Sequence, residues 1–202
     1  MGITQAYEWA IKICNMESPY ALYTQNTDAS KGPTRYGGTD SEGNIYYDCS
    51  SFVSAALTEG GFFSKNPWFT TSTMRDKLTA AGFTLLSKTD EIKPGDICWR
   101  SGHTEMVYGV KDGKILTMGA HTAKASKAGQ VSIGSSSGSQ TYKIPYQSWT
   151  QIYGYRGGHD DITPTDPGDD MPSGGDSGEH PTGNISPAVL ILLLKRGILL
   201  NS

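Results

Sequence analysis

The chain has 202 residues, of which 36% are hydrophobic, 18% charged and 10% aromatic. This composition suits one globular domain with an appendage and excludes collagen, coiled coil and a wholly disordered chain. A net charge of −3 leaves no electrostatic footprint for nucleic acid, and no run reaches the roughly 18 apolar residues that a membrane span needs.

Taken in chain order, the first element is a helix. Ile3, Ala6, Tyr7, Ala10, Ile11 and Cys14 fall on one helical stripe. The opening MGITQAYEWAIKIC lacks the basic start and long apolar core of a secretory signal. Residues 17–47, rich in Gly, Asn, Asp, Ser and Tyr, read as a long irregular stretch. A second helix is expected over 50–59, ended by Gly60-Gly61. A third is expected from Thr73 to Ala81, capped by Ser72 or Thr73 and ended by Gly82. Strand-like runs follow at Ile97–Arg100, Thr104–Val110, Lys114–Ala120, Gln130–Ile133 and Ile152–Arg156, with a hairpin signal at Lys111-Asp112-Gly113. Helices followed by consecutive antiparallel strands indicate an α+β domain over 1–157. Residues 158–184 hold seven acidic residues, six Gly, four Pro and no Lys, Arg or aromatic residue. Such a segment cannot bury enough apolar surface to offset its ordering entropy, so a disordered acidic linker is expected. Without it, residues 1–157 carry 15 basic and 13 acidic residues. The segment 185–202 is apolar on nearly every position and too short to fold alone, so it needs a partner surface or a membrane interface.

Three cysteines, Cys14, Cys49 and Cys98, are an odd number without tight pairing spacing, so no disulfide scaffold is expected. Cys49 stands out, in YYDCSSFVSAAL, because Asp48 is a good N-cap and the helix starts at the cysteine. A thiol in the first turn of a helix feels the positive end of the dipole and unpaired backbone N–H groups, which favours the thiolate; the Asp48 charge works weakly against this. Packing at a helix start is the equally good structural explanation of Cys49. His103 lies 54 residues on, at a strand start after Ser101-Gly102. An imidazole is the usual base for a cysteine nucleophile, although a lone loop histidine is more often a surface residue. A third group must orient the base. Strand alternation places Thr117, Gly119 and His121 on one face, and Glu105 on the face of His103. His121 can accept from an imidazole, and Glu105 can serve instead, touch substrate or be solvated. His159 and His180 lie in the linker and are not expected to be catalytic; Cys14 and Cys98 read as core thiols. Asn26-Thr27-Asp28 and Asp40 to Asn44 offer oxygen ligands for calcium without an EF-hand pattern. No zinc spacing and no phosphate loop occurs, so neither metal nor cofactor is expected.

Together these segments resemble a family. YGGTDSEGNIYYDCSSFVSAALTEGGF resembles the nucleophile segment of the NlpC-type cell-wall peptidases, a papain-like cysteine hydrolase superfamily. The match runs through Tyr36, Gly37-Gly38, Asp48-Cys49-Ser50 and the apolar helix. KPGDICWRSGHTEMVYG resembles the base segment, with Pro-Gly-Asp, a strand, Gly-His and an apolar strand. Ser50-Ser51 and Gly102-His103-Thr104 with Met106 are similar to the bacteriophage peptidoglycan amidases, the catalytic domains of endolysins.

The resemblance implies a papain-like α+β fold, with N-terminal helices packed on an antiparallel sheet. It implies that Cys49 is the nucleophile and His103 the base, acting on an amide bond of bacterial peptidoglycan. The bond is either that between N-acetylmuramic acid and L-alanine or one within the stem peptide. Thr117 falls where many relatives place the third group; His121 is preferred here, with Thr117 and Glu105 as alternatives. Tyr36 is expected to line the site as the relatives' upstream tyrosine does. A hydrolase of this kind accumulates in the host cytoplasm and reaches the wall when a separate protein opens the membrane, followed by cell lysis. Alternatives are a tail-associated lysin or toxin of the same fold, and a catalytically silent wall-binding module.

Overall fold

The computed structural model describes residues 2–16, 18–87, 89–111, 113–120, 131–133, 140–141, 149–157 and 162. The segment 185–202 and, apart from Ile162, the linker expected at 158–184 lie outside the described residues. Helix α1 spans Ile3–Cys14 and buries Ile3, Ala6, Tyr7, Ala10, Ile13 and Cys14. The expected stripe is corrected at one place: Ile13 is buried and Ile11 only partly so. The helix touches both the next helix and the main sheet, so its buried face is wider than one stripe. The Tyr7 hydroxyl fixes it to the sheet by donating to the Tyr108 carbonyl at 2.7 Å.

The stretch 17–47 is not irregular throughout. It holds three short strands, β1 (Ala21–Tyr23), β2 (Tyr36–Thr39) and β3 (Ile45–Tyr47). Central β3 runs parallel to β1 and antiparallel to β2. Its composition hid these strands, because polar turn motifs outnumber the strand residues. Asp28 caps a 3-10 turn at Ala29–Lys31 by accepting from the Ser30 N–H at 3.0 Å. Asp40 accepts from the N–H groups of Glu42 and Asn44, both at 3.0 Å. Among the described residues, no group of three or more His, Cys, Asp and Glu side chains is arranged to hold a metal ion.

Helix α2 spans Cys49–Glu59 and starts in a capping box. Asp48 Oδ1 accepts from the Ser51 N–H at 2.7 Å, and Ser51 Oγ accepts from the Asp48 N–H at 2.9 Å. Residues Cys49 to Leu57 are all buried, which suits a run of Ser, Ala, Val and Phe with no charged side chain. The helix stops where Gly61 takes φ 80, a conformation that favours glycine. Helix α3 spans Met74–Ala80. Thr73 occupies its N-cap position without a capping side-chain bond, and its hydroxyl instead accepts from the Thr70 N–H at 3.1 Å.

The remaining strands are β4 (Phe83–Leu85), β5 (Ile97–Arg100), β6 (His103–Lys111), β7 (Lys114–Ala120), β8 (Val131–Ile133), β9 (Gln140–Thr141) and β10 (Gln151–Tyr155). They form one antiparallel sheet in the order β4-β10-β5-β6-β7-β8, with β9 also paired to β7. Strands β4 and β9 were not expected; three and two residues are too short to show a period. The expected hairpin closes through the Lys111↔Lys114 pair. Alternation sends Ile97, Met106, Tyr108 and Met118 to the core under α1 and α2. Cys98, Val107, Ile115 and Ile152 enter a second apolar cluster with Trp149. The fold is therefore mixed α+β, as expected.

Helices α1 and α2 approach closely at Gly60, where an added Cβ would sit 2.8 Å from both the Gly2 carbonyl oxygen and the Ala6 Cβ. Gly60→Ala is expected to lower stability by about 1–3 kcal/mol through overpacking. Denaturant unfolding checks this, and an unchanged midpoint would show that α1 yields freely.

Candidate active site

Two chain breaks set the site. The Asp48 cap starts α2 at Cys49, and the Ser101-Gly102 turn, with Gly102 at φ 78, starts β6 at His103. Helix α2 packs on β6, which places the Cys49 thiol close enough to the His103 imidazole to act on its pKa. The other contact of the imidazole is a carboxylate. His103 Nε2 lies 2.7 Å from Glu105 Oε1. Glu105 is fully buried, which corrects the solvated reading of it. Its other oxygen, Oε2, accepts from the Thr117 hydroxyl. Beside it, Gly119 has no side chain, and a Cβ there would lie 3.0 Å from Glu105 Cγ. The buried carboxylate therefore has polar partners on two strands.

The imidazole is also held by its face. Its ring stacks on Trp149 at 5.6 Å and 16°. Trp149 is 1% exposed and in turn has the Arg100 guanidinium 5.4 Å from its ring centroid. Burial alone pulls the His103 pKa down. The hydrogen bonds from Cys49 and Glu105, with their negative charges, outweigh it and push the value from 6.5 up to about 9. The imidazolium is thus the favoured form at neutral pH. Cys98 shows the opposite setting: complete burial, then the nearby charges of Glu105 and Asp96, push its thiol well up. Cys14 and Cys98 are both buried core thiols, as expected.

Three residues at the site were not singled out from the sequence. Tyr23, on β1, lies near Cys49; burial, followed by the charges of Cys49 and Asp48, raises its pKa. Trp149 supplies the stacking face for the His103 ring. Arg35 forms a buried ion pair with Asp48 and is 6% exposed. Only the length of the Arg35 side chain, next to the Tyr-Gly-Gly start of β2, could have hinted at that reach. Tyr36 is 36% exposed, with its ring 5.6 Å from Trp68. His121, His159 and His180 lie outside the described residues.

The geometry joins a thiol at a helix start, an imidazole at a strand start and a buried carboxylate. Such a set can generate a nucleophile, move a proton and stabilise the resulting imidazolium. Searches among curated proteins and among solved structures gave no match. Residues 22–139, more than half of the chain and including Cys49, His103, Glu105 and Thr117, match the family described as bacteriophage peptidoglycan hydrolase. The chain belongs to that family and is a hydrolase of peptidoglycan.

Proposed function

We propose that this hydrolase is a cysteine-dependent, NlpC-type endolysin that cleaves an amide bond of the host wall. It acts after leaving the host cytoplasm, and its action ends in lysis. The observation that carries this reading is the alignment of Cys49, which acts on the His103 imidazole, with the His103 Nε2–Glu105 Oε1 contact at 2.7 Å. Among the described residues, no helix is long and apolar enough to cross a membrane.

The Cys49 sulfur attacks the carbonyl carbon of the scissile amide as a thiolate. The charge that moves to the carbonyl oxygen is met by backbone N–H groups at the start of α2, that of Cys49 among them. His103, as imidazolium, gives its proton to the departing amine nitrogen, and the C–N bond breaks. A thioester on Cys49 remains. Neutral His103 then takes a proton from water, whose oxygen attacks the thioester and releases the acid. With Nε2 turned to Glu105, Nδ1 is the ring nitrogen left for these transfers. Glu105 is the orienting group in this scheme, in preference to His121, and Thr117 serves it by holding the carboxylate.

The test is digestion of purified Gram-positive walls by the wild type and by Cys49→Ala, with mass spectrometry of the soluble products. New amino termini released by the wild type alone are expected. L-Alanine termini would name an amidase, and termini within the stem or bridge an endopeptidase. Equal release by both proteins would refute the cysteine mechanism.

A further inference from the structure

The N-cap of α2 presents a physical conflict. Asp48 gives the helix a strong start, yet it puts a carboxylate one residue from the sulfur that must become an anion. Asp48 is 6% exposed, so water does little to screen it. An unpaired carboxylate at such depth would be costly.

We propose that Arg35 is a positioning residue for the nucleophile, which cancels the charge of the Asp48 cap and ties the start of α2 to the neighbouring 68–69 segment. Its contacts divide between these tasks. Nη1 bonds to Asp48 Oδ2 and lies 3.2 Å from Ser50 Oγ. Nη2 donates to the carbonyls of Phe69 at 3.3 Å and Trp68 at 3.4 Å. The guanidinium lies 4.9 Å from the Tyr36 ring centroid. Trp68 has φ 44, a conformation that a bulky side chain rarely adopts. Arg35 therefore binds a strained segment on one side and the nucleophile's cap on the other. A lysine could not span these groups, because only the planar fork offers donors in two directions.

Among the described residues, the charged and titratable groups around Cys49 include His103 from β6 and Tyr23 from β1, the latter also within the fields of Asp48 and Arg35. Among these, Arg35 and Asp48 offset each other. Removing one must shift the pH at which Cys49 becomes reactive, and removing both must restore it. A purely structural role predicts no such sign change.

The proposal rests on Cys49 being the activated nucleophile. Its test is the rate of iodoacetamide alkylation at Cys49 against pH, resolved by peptide mass spectrometry on the full chain. Asp48→Asn keeps a good cap and leaves the cation, so its acid half-point is expected to fall by about half to one pH unit. Arg35→Gln is expected to raise the half-point by a similar amount, and the double variant to return close to wild type. If Arg35→Gln does not fold, Asp48→Asn still decides, since loosening the cap would not lower the half-point. Wild-type and Asp48→Asn curves that coincide would overturn the role of Arg35 alone. Wild-type alkylation no faster than that of a free small thiol would overturn the nucleophile assignment and this proposal with it.

Discussion

Cys49→Ala loses wall-degrading activity by at least about 10³-fold, and His103→Ala loses a comparable amount, because residues acting as one unit fail together. The double variant is expected to be no worse than either single one. Cys49 is 9% exposed at the first position of α2, and alanine leaves the Asp48–Ser51 capping box in place. The variant should therefore fold, with an unfolding midpoint near that of the wild type. Turbidity loss of a wall suspension measures the activity, and thermal unfolding supplies the control. Activity within tenfold of wild type in a folded Cys49→Ala protein would place the chemistry elsewhere.

Glu105→Gln is expected to reduce turnover by roughly 10²- to 10⁴-fold, the range seen when a carboxylate that orients a catalytic imidazole is lost. Its more telling effect is on pH. Burial works against the charged form of His103, and with the Glu105 carboxylate gone less remains to offset it. The alkaline limit of activity should then move down from the region of pH 9. The same linkage reaches stability. Because the folded pKa of His103 is raised, the stability it contributes is full below about pH 6.5 and is lost as pH rises through about 9. In Glu105→Gln that loss should begin at lower pH. Rate profiles and denaturant unfolding at pH 6, 8 and 9.5 check both effects. An unchanged alkaline limit would remove Glu105 from the role proposed for it.

Much of this site is written locally in the chain. Asp48-Cys49 before an apolar run marks a capped helix with a thiol in its first turn, and the structure starts α2 there. Ser101-Gly102 before His103 marks a turn and a strand start, which is also found. The burial of Glu105 is not a local property. It follows from sheet register, which pairs Cys98 with Glu105 and Val107 with Thr117, and from the side-chain-free Gly119 beside it. A register shift between Val107 and Gly109 lies next to those pairs, and no alternation rule foresees its position. Arg35 was hidden for a related reason. It sits among turn residues that read as solvated, and its burial depends on two segments that arrive from positions 48 and 68. The small sheet built on β3 escaped notice because its strands are three or four residues long.

The central claim is that one thiol carries the hydrolysis. It is tested most directly by titrating the full chain with iodoacetamide while following wall degradation and the label at each cysteine. The account predicts that activity falls in step with labelling of Cys49 and is gone when Cys49 is fully modified, with buried Cys14 and Cys98 unlabelled. Wall degradation that persists with Cys49 fully modified would contradict it.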